Sequence, residues 1–94
     1  MKAWLIHPDG RQKELELRVG DGLSIAHQHL GDITLDLTRV RYNGHVCTMV
    51  VDDMGHDKAL PVNAVATAAY LAACIPGTTH QIRGPVVIFD QLLP

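Results

Sequence analysis

Hydrophobic and polar positions alternate along much of this chain, and the places where the alternation changes period mark out its elements. Lys2 to Ile6 is a short apolar run ended by Pro8-Asp9-Gly10, a turn in which Pro presets φ and Gly accepts a positive one. Gln12 to Val19 alternates with period two: Leu15, Leu17 and Val19 face one way, Glu14, Glu16 and Arg18 the other. The two segments predict an N-terminal hairpin. The period then lengthens. Leu23, Ala26, His27 and Leu30 share one helical face between Asp21, a candidate N-cap, and Gly31, a candidate stop. Alternation returns from Asp32 to Val40, with Ile33, Leu35 and Leu37 opposite Thr34, Asp36 and Thr38.

Asn43-Gly44 is the strongest local signal, because both residues tolerate positive φ and together favour a two-residue type I′ hairpin. The returning strand, His45 to Asp52, would pair Val40 with Cys47 and Leu37 with Val50. Both of its faces are then apolar. Either it is covered on both sides or a bulge near Arg39 switches sides. An acidic turn, Asp52-Asp53-Met54-Gly55-His56-Asp57, leads into a second helix opened by Asn63 and ended by Pro76-Gly77. Gly84-Pro85 introduces a last strand, Val86 to Phe89. The order is β-β-α-β-β-α-β. The expected fold is α+β: one domain spanning residues 1–94, a mostly antiparallel sheet with the helices packed on one face.

Composition narrows the function classes. With 94 residues the chain makes one small domain, which a partner chain would help to stabilise. A formal net charge of −2 supplies no basic excess for binding nucleic acid. Two cysteines, Cys47 and Cys74, make no disulfide framework and read as reduced, buried thiols. The N-terminal apolar run is too short for a signal peptide, and Ala64 to Ile75 is too short to cross a bilayer. The expectation is a soluble cytoplasmic protein that contacts neither nucleic acid nor membrane.

Several short stretches occur in a distinctive order. Met1-Lys2-Ala3-Trp4-Leu5-Ile6-His7-Pro8 is followed by the acidic turn carrying Gly55, then by Leu60-Pro61-Val62-Asn63, Ala66-Thr67 and Gly84-Pro85-Val86-Val87. In this order the chain resembles, over nearly its whole length, the phage- and plasmid-associated Domain of Unknown Function 3846 family. It departs from that pattern in a longer uncharged helix after Thr67 and in extra histidines. The resemblance implies a setting in phages, plasmids and their bacterial hosts. It implies no activity, cofactor or catalytic residue.

The chemistry-bearing residues form no recognised catalytic constellation. The six histidines (His7, His27, His29, His45, His56 and His80) include no Cys-x-x-Cys-like or His-x-x-x-His pairing, so no metal site is expected, and no cofactor. The acidic turn lacks the alternate oxygen ligands of a calcium loop and reads as solvated. Cys74 sits at a helix C-terminus, where the dipole disfavours a thiolate. Arg39 and Arg41 share one strand face. With Arg83 and the helix start at Asn63 they are the candidate site for an anionic small molecule or an acidic partner.

The segment Ala59 to Ile82 carries no Asp, Glu, Lys or Arg, so its helix has no charged face. Val65, Ala68, Leu71, Ala72 and Ile75 form the expected core stripe. Ala66, Ala69, Tyr70 and Ala73 form the expected interface, through which the chain would homodimerise or dock a protein partner. The leading reading is a non-catalytic protein-binding or regulatory module of a mobile genetic element or its host. A small-ligand binder, for a nucleotide or other anion, is the alternative. A small metal-dependent enzyme using the histidines is a weaker third.

Overall fold

The structure, a computed structural model, describes residues 2–18, 20–31 and 33–91. Met1, Val19 and Asp32, which enter the sequence reading above, lie outside the described residues. The elements follow in the expected order: β1 Lys2–Ile6, β2 Gln12–Glu16, α1 Gly22–Leu30, β3 Leu35–Tyr42, β4 His45–Asp52, α2 Ala64–Leu71 and β5 Val86–Phe89. The strands form one five-stranded sheet, ordered β2-β1-β5-β4-β3, in which every neighbouring pair is antiparallel. The fold is α+β.

The central strand explains the rest of the packing. β5 is an unbroken apolar run, Val86-Val87-Ile88-Phe89, and all four residues have 0% exposure. Neighbouring residues on a strand point to opposite faces, so such a run must be covered on both. Val86 and Ile88 join Ile6, Met49, Val51, Ala66 and Ala69 in one core. Val87 and Phe89 join Ala3, Leu5, Leu15, Val50 and Ala26 in the other. α2 therefore covers one face and α1 the opposite one. This corrects the expected placement of both helices on one face. β4 raises the same demand, since Cys47, Met49 and Val51 alternate with Thr48 and Val50 and all are buried.

Asn43 and Gly44 have φ of +52° and +80°, as a type I′ turn requires. The ladder beyond them is continuous from Tyr42↔His45 to Leu35↔Asp52, with Val40 opposite Cys47 and Leu37 opposite Val50. There is no bulge at Arg39. Coverage on both faces is the outcome. At the hairpin end the sheet curls toward the α2 face. Tyr42 on outer strand β3 donates from its hydroxyl to Gln12 on the far outer strand at 2.8 Å, and its ring lies 5.3 Å from that of Trp4.

The helices differ in phase from expectation. In α1 the buried residues are Gly22 and Ala26, with Ile25 and Leu30 packed beside them, while Leu23 is 48% exposed and His27 faces outward. Asp21 makes no side-chain cap, but Gly31 ends the helix at φ +97°. α2 is shorter than read and stops at Leu71. Its phase is set by Asn63, which is wholly buried. The Asn63 Oδ1 accepts from the Ala66 N–H at 3.1 Å, and its Nδ2 donates to the carbonyls of Ile6 and Gly84, each at 3.0 Å. Residues three and six further on, Ala66 and Ala69, then share the inward face.

Candidate functional site

The structure leaves two chemically distinct surfaces open. The first is the outer edge of β3. A two-residue hairpin makes its flanking pair, Tyr42 and His45, exchange backbone hydrogen bonds. By alternation Val40, Thr38 and Asp36 also bond inward to β4. The Asp53 N–H donating to the Thr34 carbonyl at 3.0 Å keeps the same parity. The N–H and C=O groups of Leu35, Leu37, Arg39 and Arg41 therefore point away from the sheet. Among the described residues none of them finds a partner. The side chains of these four lie on the α1 face, but α1 packs on β4 and β5. Leu37 stays 41% exposed, and on β4 Val46, opposite Arg41, 39%. Arg39 and Arg41 are exposed and form no ion pair among the described residues. The other outer strand, β2, is five residues long and carries Lys13, Glu14 and Glu16. Short, charged edges resist strand addition.

The second surface is a cleft of about 150 Å³ beside the acidic turn, lined by Asp36, Asp52, Asp53, His56, His80 and Arg83 among others. Asp52 organises it. One carboxylate oxygen accepts from the Met54 N–H at 2.9 Å and the other from Lys58 Nζ at 2.7 Å. Burial works to raise the pKa of this carboxyl, but Lys58 and the Met54 N–H outweigh it, so the net direction is downward. His56 Nε2 lies 2.9 Å from the Gln81 carbonyl. A carbonyl only accepts, so that nitrogen carries the hydrogen. The His56 and His80 rings are 4.8 Å apart, and Tyr70 meets His80 edge-on at 5.6 Å. Tyr70 has its pKa raised, first by a hydrogen bond with Cys74, then by burial and the nearby Cys74 and Asp36. The turn joins residues far apart in sequence, and reading it as merely solvated missed this grouping. Periodicity carries no signal for such a contact.

The predicted anion site does not assemble. Arg39 and Arg41 lie on the α1 face. Arg83 lies by the cleft on the opposite side, with its Nη1 donating to the Leu60 carbonyl at 3.0 Å. Every polar atom of the Asn63 side chain is engaged inside the protein. It pins the start of α2 to β1 and to the segment before β5 instead of presenting a helix end to a ligand.

The predicted interface is also redistributed. Ala66 and Ala69 are 0% and 5% exposed, packed on Met49, Ile88 and Val51, and offer no surface to a second chain. Tyr70 is half-buried against the same core, and Ala73 is exposed just beyond the helix end. Of the expected core stripe, only Val65 packs against that core, partly buried. Ala68 and Ala72 face outward and Ile75 is 82% exposed. The helix is rotated by the buried Asn63, which sequence periodicity among near-equivalent alanines could not rank.

Cys47 and Cys74 are both free. Burial, with Asp90 nearby, pushes the Cys47 thiol up, against a smaller opposing effect of the Tyr42 backbone. A thiol held protonated is a poor nucleophile. Among the described residues no group of three or more His, Cys, Asp or Glu side chains is placed to hold a metal ion, and no helix is long and apolar enough to cross a membrane. No family model matches the chain, and neither a curated protein nor a solved structure matches it.

Proposed function

We propose that this protein is a non-catalytic binding or regulatory module that acts through protein contacts, made by a partner strand adding to β3. The observation that carries this reading is the eight-residue outer strand whose outward backbone groups at Leu35, Leu37, Arg39 and Arg41 find no partner among the described residues, with Leu37 and, opposite Arg41, Val46 exposed on the same face. Strand addition uses such an edge: main-chain bonds supply affinity and alternate side chains supply selectivity. We place it in a mobile genetic element or its bacterial host, a reading that rests on the order of its short sequence stretches alone. Two unpaired cysteines support a reducing, cytoplasmic setting.

The test is a comparison of wild type with Leu37→Pro. Proline removes the outward N–H at that position and disturbs no ladder bond within the chain. Proteins retained from a host lysate by the wild type and lost with the variant support the reading. An identical retained set for both would sink it.

The small-ligand alternative keeps one observation in its favour, the cleft between His56, His80 and Arg83. Its volume of about 150 Å³ is below the ~300 Å³ at which pockets begin to hold drug-sized ligands. It suits a single small polar group and not a nucleotide. A thermal-shift screen against small anions and amines tests it, since a ligand of the native state raises apparent stability.

A further inference from the structure

The reading of β3 as a strand-addition edge leaves open what kind of strand it takes, and the charges around the edge decide this. On the α1 face the hairpin presents Leu35, Leu37, Arg39 and Arg41 from β3, and Val46, Thr48, Val50 and Asp52 from β4. The one acid in that set, Asp52, lies at the end of the hairpin farthest from Arg41 and is already held by Lys58 at 2.7 Å. The α1 helix brings no acid to this face, since its sequence is GLSIAHQHL. Arg39 and Arg41 therefore stand side by side, one strand period apart, at the open edge, with no counter-charge among the described residues. Leu37, next along the same row, is 41% exposed.

We propose that the occupant of this edge is an extended, acidic segment of a partner protein, running antiparallel to β3, with carboxylates at alternate positions opposite Arg39 and Arg41 and apolar residues opposite Leu37 and Leu35. This rests on the strand-addition reading above and names its partner class. Residues directly opposite on one face of an antiparallel pair are close enough to interact, and opposite charges there stabilise while like charges oppose. The spacing follows from the pleat: side chains two apart on the partner meet side chains two apart on β3. The other face constrains the partner differently. There α2 packs on β3, Val40 is buried, and Asp36 and Thr38 flank the edge, so only small polar residues fit beside the helix and a second row of acids would oppose Asp36. A second copy of this chain is the poorer complement. Pairing β3 with β3 brings two more arginines and no acid to the same row.

The experiment uses the full chain and a synthetic peptide, Glu-Thr-Glu-Thr-Val-Thr-Val, capped at both ends, with a counterpart carrying Lys at the two Glu positions. Backbone amide shifts in a labelled sample locate binding, and titrations give affinities. The acidic peptide should shift the amides of β3 and bind about tenfold or more tightly than the basic one, as expected for two charge pairs partly shielded from water. The double variant Arg39→Glu/Arg41→Glu should reverse that preference. N-methylating the peptide at its second Glu and first Val, the residues opposite Arg39 and Leu37, should abolish binding without touching the protein. Equal affinity for the two peptides, both lost on N-methylation, overturns the acidic partner and leaves strand addition standing. Shifts away from β3, no shifts with either peptide, or binding indifferent to N-methylation overturn strand addition too. Concentration-dependent dimerisation of the wild type that Leu37→Pro abolishes would assign the edge to a second copy and overturn the proposal.

Discussion

At the scale of single residues, the positions that matter most are those whose side chain or φ has one acceptable solution. Asn63 caps α2 and also satisfies two carbonyls from distant segments, Ile6 and Gly84, in a site with no water-exposed surface. Asn63→Ala removes the cap and one hydrogen bond to each of two buried carbonyls, so it should cost about 3 kcal/mol or more in denaturant unfolding. Gly44 has φ +80°, which a β-branched side chain resists, so Gly44→Val should cost more than ~1 kcal/mol even though a Cβ there meets open space. Asp52 ties stability to pH. Its folded-state pKa lies below the ordinary 3.8, so its contribution is complete above that value and fades as pH falls through the lower, folded one. Asp52→Asn should therefore be less stable than wild type near neutrality and lose less on acidification. Unfolding curves collected between neutral and acid pH would show the two converging, and parallel curves would remove Asp52 from the account.

At the scale of elements, α2 is the instructive case. Half of its eight residues are alanine and its hydrophobic pattern has nearly the same strength in every direction, so its phase was decided by an anchor outside the helix. Ala66 and Ala69 let the backbone lie close to β3, over a core that includes Met49, Ile88 and Ile6. Ala69→Arg should then unfold the protein or destabilise it by more than ~3 kcal/mol, because a charge would enter a packed core. Ala68→Arg, one position back and facing water, should change stability by less than about 0.5 kcal/mol. Thermal melts of the pair decide the phase directly. If Ala68→Arg were the damaging change, the helix would be rotated as its sequence pattern alone suggested. β3 supplies the opposite case, an element whose inner half is fully paired and whose outer half is not.

At the scale of the whole molecule, a sheet covered on both faces gives two cores that meet only through the strands. Leu5 belongs to the α1 core and Ile88 to the α2 core. Leu5→Ala should cost about 2–5 kcal/mol and Ile88→Val about 0.5–1.5 kcal/mol. Although β1 and β5 are paired, the two side chains point to opposite faces of the sheet, so the double variant should show the sum within ~0.5 kcal/mol. A large departure from additivity in chemical denaturation would mean the cores are coupled through β1 and β5. The arrangement also explains the open surfaces. α1 packs on β4 and β5 and α2 packs on one face of β3, so the α1 face of β3 and its outward backbone edge remain exposed.

The strands and their pairing partners within hairpins were legible in the sequence by itself, because they depend on local causes. Period-two alternation marks Gln12 to Glu16, positive φ at Asn43-Gly44 sets the register from Val40↔Cys47 outward, and the apolar run Val86 to Phe89 marks a buried strand. The two apolar faces of β4 were also legible, though not the choice between double coverage and a bulge. Only the tertiary structure decided which helix covers which face, where β5 inserts, and how α2 turns. These depend on long-range contacts such as Asn63 to Ile6, which leave no periodic trace. The candidate site divides in the same way. Arg39 and Arg41 shared a face by local geometry and still do. Arg83 and Asn63 were grouped with them by chemistry alone, and the chain carries one to the far side of the sheet and buries the other. That β3 ends as an open edge is a property of sheet order, and sheet order is set by which strands bury the most apolar surface between them.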